Sequence, residues 1–336
     1  MYLIVLHHYV VNSGLVDTMQ LHGDFPQNVV YAIAGGWGKI GINCFVLITG
    51  YFMCKSSISA IKFIRLLAEV LFYNIIIFLI FVISGYESFS VAQVVKRVFP
   101  FYDISYGFTS CYLLFYLLIP YLNILIKNLS QKQYIGLLGL VVFIYTLIPT
   151  MPKMSVTFNY VTWFCIIYLI GAFIRMYEEE ITFLTHNIGM KCAICFTVAI
   201  CSIVVGVLFS TDQNVRYWYF VTDSNKLLAV LPAVFAFLWF KSLNIGYSRV
   251  INTVAAFTFG VLMIHANSDT MRQWLWKDVL HNTQMYENSC FVWHMLISTV
   301  VIFVLCIIID MLRVRFLEKT FIKCVCKIQD SFRARK

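Results

Sequence analysis

Two adjacent imidazoles, His7 and His8, stand inside the apolar run Tyr2–Val11. Ionisable side chains are rare in apolar spans because lipid disfavours them by about 2.5–3.5 kcal/mol or more, so each is a functional candidate. Imidazole accepts and returns a proton near neutral pH, which makes this pair the candidate general base. Neighbouring residues on a helix point about 100° apart, so one ring is expected to face a shared cavity while the other packs. Further polar groups interrupt apolar stretches. Asn43 and Thr49 can bind a ligand, hold the His8 tautomer or link helices. His265 closes a late apolar run and is followed by Arg272 and Trp274, and Arg175 closes another as an expected snorkelling anchor. Lys62 and Arg65 begin a third run, with Glu69 four residues beyond Arg65, where it is expected to neutralise it.

The sequence contains no Gly-x-Ser-x-Gly elbow, Walker loop, zinc-type His/Cys spacing or dinucleotide fingerprint. That argues against covalent serine chemistry, nucleotide hydrolysis and a catalytic metal. The 11 cysteines lie mostly in apolar runs, where a thiol behaves as a small hydrophobe. Cys192-x-x-Cys195 has redox or metal spacing but no second pair. Cys111 and Cys290 both fall at the outer ends of expected spans, which leaves a disulfide between them open.

The elements that carry these groups belong to a membrane. Hydrophobic residues make up 61%, charged residues 12%, and the mean hydropathy is +0.82, more apolar side chain than a soluble interior hides. About ten apolar segments can be read, at 1–11, 40–54, 64–84, 110–126, 134–149, 160–176, 190–209, 226–241, 249–265 and 289–311. Lipid tolerates no open sheet edge, so the expected fold is an all-α bundle of about ten transmembrane helices, residues 1–311, followed by a basic tail at 312–336. The net charge of +9 falls mainly in alternate loops and in the tail, which places both termini in the cytoplasm by the positive-inside rule and argues against nucleic acid as a partner. Phe316, Leu317, Phe321, Ile322 and Val325 give the tail an apolar face suited to the inner leaflet. The opposite loops, 12–37, 85–109, 210–225 and 266–288, hold aromatics such as Tyr86, Tyr102, Tyr106, Trp218, Trp274 and Trp276, either as an interfacial belt or as a platform for sugar rings.

Two features of the first segments stand out. The first apolar run rises only about 16 Å, half a bilayer, so the initial helix is expected to be truncated. The second opens with Gly35, Gly36, Gly38 and Gly41 among seven residues, where a backbone gains from close approach to a neighbour.

The order of these features is similar to that of the acyltransferase family 3 membrane proteins. The paired histidine precedes Gly38–Ser56 (G-x-x-G-I-x-x-F-x-L-I-T-G-Y-F), and Tyr112–Asn123, Tyr168–Arg175 and Thr258–His265 resemble later family motifs in family order, covering roughly residues 4–316. The resemblance implies an O-acyltransferase of the cell membrane that moves an acyl group, acetyl first, from acetyl-CoA to a hydroxyl of a bacterial surface polysaccharide or lipid-linked sugar. The family pattern picks His8 as the reacting base, with His7 the alternative, and places its basic partner upstream of Met1. It further implies that Lys62 and Arg65 pair with donor phosphates. By their own place in the sequence, Asn43 and Thr49 are candidate donor contacts, with helix linkage as the rival role, and His265, Arg272 and Trp274 are candidate acceptor contacts. The reading from another class is a glycan transporter using the histidines for proton coupling.

Overall fold

The protein, analysed as a computed structural model describing residues 1–104, 107–211 and 216–333, is built from helices, with no β-strand among those residues. Tyr106 and the end of the tail lie outside the described residues. In chain order come α1 (Tyr2–Val11), α2 (Leu15–His22), α3 (Phe25–Gly35), α4 (Gly38–Met53), α5 (Ala60–Ile83), α6 (Val91–Val98), α7 (Phe108–Asn128) and α8 (Gln131–Val142). They are followed by α9 (Tyr160–Tyr177), α10 (Ile188–Leu208), α11 (Leu227–Ser242), α12 (Arg249–Ala256), α13 (Thr258–His265), α14 (Phe291–Arg313) and α15 (Lys319–Arg333). Local sequence fixes several starts. Ser59 accepts from the Lys62 amide at the head of α5, and Ser130 and Gln133 close a capping box on α8.

Every apolar segment expected from the sequence is helical, but the count of spans differs. Among the described residues, 7 helices are long and apolar enough to cross a membrane. Tyr2–Val11 and Leu227–Ser242 are shorter, and the segment at 249–265 breaks at Phe257 into α12 and α13. The stretch 12–37, expected to be a loop, forms α2 and α3, and α3 leads into α4 within the apolar length Phe25–Met53. Its polar residues are satisfied internally: Asn28 donates to the Met19 carbonyl at 2.9 Å and accepts from the Tyr286 hydroxyl at 2.9 Å. A loop reading from polarity misses such pairing.

Glycines set the tightest contacts. A Cβ on Gly50 would lie 2.5 Å from the Tyr168 carbonyl oxygen, and one on Gly171 would lie 2.5 Å from that of Leu47. The two helices, α4 and α9, therefore meet backbone to backbone at these points, as small residues allow in membrane bundles. At the other end of α4, Gly38 and Gly41 receive His7 and Ile4, which seats α1 against α4.

Glu69 does not pair with Arg65. Arg313 takes Glu69 at 3.3 Å, Asp310 at 2.6 Å and Glu318 at 2.8 Å, while Arg65 meets Glu318 at 3.2 Å and Tyr73 donates to Asp310 at 2.8 Å. The reason is lateral position: α14 lies beside α5 and offers a buried guanidinium, whereas Arg65 is half exposed. The chain after residue 311 continues α14 without a loop, widens at Val314–Glu318 and becomes α15, keeping Phe316, Leu317 and Phe321 exposed. Arg175, expected to snorkel, is held by the Tyr51 hydroxyl at 2.8 Å. Cys111 and Cys290 are free thiols, as are Cys192 and Cys195.

Candidate functional site

The expected base sits on α1 because that helix is amphipathic only in its polar exceptions. Ile4, Val5, Leu6, Tyr9 and Val10 are buried against α3, α4 and α14, which orients the helix, and His7 and His8 remain at the wall of a cavity of about 910 Å³. Both imidazoles line it, contrary to the expectation that one would face away. Their directions do diverge along the helix, but their ring centroids are 5.5 Å apart and the cavity spans both.

The two rings are held differently. His7 donates from Nδ1 to the Gly35 carbonyl and lies against Gly38. His8 Nδ1 lies 3.0 Å from Nε2 of His265, which closes α13, and the Nδ1–H of His265 donates to the Val261 carbonyl at 2.5 Å. His265 is fully buried, and its ring and that of Trp276 form a T-shaped pair. The last residue of α13 and the eighth residue of the chain thus share one hydrogen-bonded unit.

On the rest of the cavity wall, polar groups of both charges share the surface with apolar side chains such as Val70, Phe108 and Leu262. Lys39 reaches the Tyr160 hydroxyl at 2.9 Å, Arg97 meets Glu87 at 3.5 Å, and Asn267 donates to Asn74 at 3.2 Å. Lys96 lies over the Tyr102 ring at 5.1 Å. Arg272 lines the same wall, binds Asp269 at 2.7 Å and keeps its buried Nε without a hydrogen-bond partner among the described residues. Cations, acids, amides and aromatic rings around one partly open volume suit a polyhydroxylated or charged ligand.

Of the residues singled out in the sequence, the fold brings His7, His8 and Arg272 to this cavity, whereas His265, expected to contact the acceptor, is fully buried behind the wall and reaches it only through its bond to His8. The others lie elsewhere. Asn43 is fully buried, donates to the carbonyls of Ser224 at 2.7 Å and Ala229 at 3.0 Å, and accepts from Trp163 at 2.9 Å. Thr49 donates to the Phe45 carbonyl at 3.1 Å and lies 3.2 Å from the Tyr112 hydroxyl. Lys62 donates to the Ser57 carbonyl at 3.0 Å and Arg65 pairs with Glu318, while Trp274 packs edge-on against Phe81. Asn43 and Thr49 are therefore interhelical and intrahelical links rather than parts of the cavity wall.

Sequence reasoning passed over Lys39, Asn74, Arg97 and Tyr160. For Asn74 the signal was present, since it is a polar residue inside the apolar segment 64–84, as Asn43 is inside 40–54; Lys39 stands just before the latter and reads only as loop charge. Arg97 and Tyr160 carried none, because a residue beside a loop gives no sign of the direction it faces.

Neither a curated protein nor a solved structure matches the chain. A family model does: the acyltransferase family 3 model, described as an acyltransferase domain, matches residues 1–311, which include α1 with both histidines, the glycine contacts of α4 and the His265 helix. The chain belongs to acyltransferase family 3 and is a multi-pass membrane acyltransferase.

Proposed function

We propose that the protein transfers an acyl group, acetyl first, from acyl-CoA to a hydroxyl of a cell-surface polysaccharide or its lipid-linked precursor. The observation that carries this reading is that His7 and His8 line one cavity within the family's bundle, with the buried His265 bonded to His8 behind its wall. A sugar hydroxyl is too weak an acid to attack a thioester unaided. His8 takes its proton as the oxygen bonds to the carbonyl carbon, the carbon–sulfur bond then breaks, and the imidazolium returns the proton to the departing thiolate. Arg272, Asn74, Asn267 and the Lys39–Tyr160 pair supply donors and acceptors to the acceptor sugar.

In this proposal the membrane is the cell membrane and the donor approaches from the cytoplasm, with both termini on that side, a reading supported by the excess of Lys and Arg in alternate loops and the tail. Its phosphates need not enter the cavity, because the pantetheine arm separates them from the thioester. Lys62 and Arg65, outside the cavity at the head of α5, remain the phosphate contacts of this proposal.

The test supplies labelled acetyl-CoA to membrane vesicles containing the enzyme and native glycan. His8→Ala is expected to abolish transfer without loss of membrane insertion, and His7→Ala to act more mildly. Full activity in the His8 variant overturns the base assignment.

A further inference from the structure

We infer that His265 is a positioning residue, which through its bond to the Val261 carbonyl fixes His8 in its Nδ1–H tautomer and presents a bare Nε2 to the substrate. The inference rests on the reading of His8 as base and adds the group that makes the ring competent.

The argument is one of counting protons. A carbonyl oxygen only accepts, so the hydrogen in the His265 Nδ1 to Val261 contact belongs to the imidazole. A neutral imidazole carries one such hydrogen, so His265 Nε2 has none and can only accept. The contact of 3.0 Å between that nitrogen and His8 Nδ1 therefore takes its hydrogen from His8. With its own hydrogen directed at His265, neutral His8 is bare at Nε2, the one ring nitrogen left for the cavity that the ring lines. His265 is fully buried, so solvent does not compete for either bond.

The chain of contacts has a direction, and the direction matters. In free histidine the Nε2–H tautomer predominates, and in that form His8 would meet the hydroxyl with a donor and could not take its proton. The same unit serves the return step. When His8 becomes protonated, its Nδ1–H still donates to His265, so the ring does not reorient before handing the proton from Nε2 to the thiolate. The division of labour matches that of hydrolase triads, in which a histidine locked in the wrong tautomer loses about 10⁴ in turnover. Here a second histidine anchored on a backbone carbonyl stands in for the carboxylate. Gly35 holds His7 Nδ1 in a comparable way, so the choice between the two rings is left to the comparison of their alanine variants.

The experiment has two arms. In membranes carrying native glycan and labelled acetyl-CoA, His265→Leu removes the acceptor at similar volume, whereas His265→Gln can offer its amide oxygen to His8. Turnover is expected to fall roughly 10²-fold in the leucine variant with KM for acetyl-CoA nearly unchanged, and to stay within about tenfold of the parent in the glutamine variant. The second arm needs no variant beyond assignment. In the full-length protein labelled with ¹⁵N-histidine in lipid bilayers, the signals that vanish in His8→Ala are expected to show protonated Nδ1 and bare Nε2. A protonated Nε2 on neutral His8, or parental turnover in His265→Leu beside an inactive His8→Ala, overturns the proposal. An active His8→Ala enzyme overturns the base assignment itself, and the spectra still decide the His8–His265 bond independently of it.

Discussion

The ring of His7 lies so close against the α-carbon of Gly38 that a methyl group there would stand 2.3 Å from His7 Cγ and 2.8 Å from its Cβ. Those atoms are near the backbone of α1 and cannot swing aside, so Gly38→Ala must push α1 itself. Displacement of about 1 Å at a reacting group can reduce turnover about 10²-fold, and overpacking destabilises by about 1–3 kcal/mol. Gly38→Ala is therefore expected to lower turnover by one to two orders of magnitude, with a modest fall in thermal midpoint. Gly136→Ala, with no atom within 4 Å of the added methyl, is the control and should match the parent in both.

What the sequence conveyed and what it withheld follow from the range of the interactions involved. Helical segments were legible because each reports its own apolarity, and the histidine pair because a polar group in lipid is conspicuous wherever it lies. The fate of Asn43 was not: the same criterion marked it, yet its amide joins three groups from distant segments, Trp163, Ser224 and Ala229. The wall formed by Lys39, Asn74, Arg97 and Arg272 draws on α4, α5, α6 and the segment after α13. Only tertiary packing states which lone polar residues face each other. The misread stretch at 12–37 has the same origin, since Asn28 appears loop-like until Tyr286, more than 250 positions away, supplies its partner.

The buried ionic group around Arg313 predicts an asymmetric response to substitution. Arg313 satisfies Glu69, Asp310 and Glu318 together, and its side chain is 6% exposed. Removing the cation leaves buried carboxylates without their partner, a change of about 3–5 kcal/mol for a broken buried pair. Arg313→Met is expected to lower the thermal midpoint in detergent sharply. The double variant Arg313→Met, Glu69→Gln should recover part of the loss because one stranded charge is removed. Additive losses in the double variant would mean that the two side chains are not energetically coupled.

Arg272 and Trp274 are two residues apart in sequence but differ in position. Arg272 lines the cavity with an Nε that has no hydrogen-bond partner among the described residues, whereas Trp274 packs against Phe81 away from it. A charge-assisted hydrogen bond contributes about 1.5–3 kcal/mol, which is roughly 10- to 150-fold in affinity. Arg272→Gln is thus expected to raise KM for the glycan acceptor by at least tenfold. Trp274→Ala should leave that KM within about twofold and change only stability. Equal effects on acceptor KM would mean that the aromatic residue reaches the sugar during turnover.

The last prediction separates donor binding from chemistry. Lys62 and Arg65 lie outside the cavity, and Arg65 faces Glu318 across 3.2 Å with its own side chain half exposed. A phosphate contact remote from the thioester acts equally on the ground state and the transition state. Replacing Lys62 and Arg65 with Gln is therefore expected to raise KM for acetyl-CoA while leaving kcat nearly unchanged, and Lys55 preserves positive charge at the same loop. Glu318→Gln supplies the opposing case: it releases Arg65 from its carboxylate, so KM for acetyl-CoA should fall if that guanidinium meets phosphate. The Arg313 contact to Glu318 weakens in the same variant, so its thermal midpoint is read alongside. An unchanged KM in both variants would assign Lys62 and Arg65 to membrane orientation alone and remove them from the donor site.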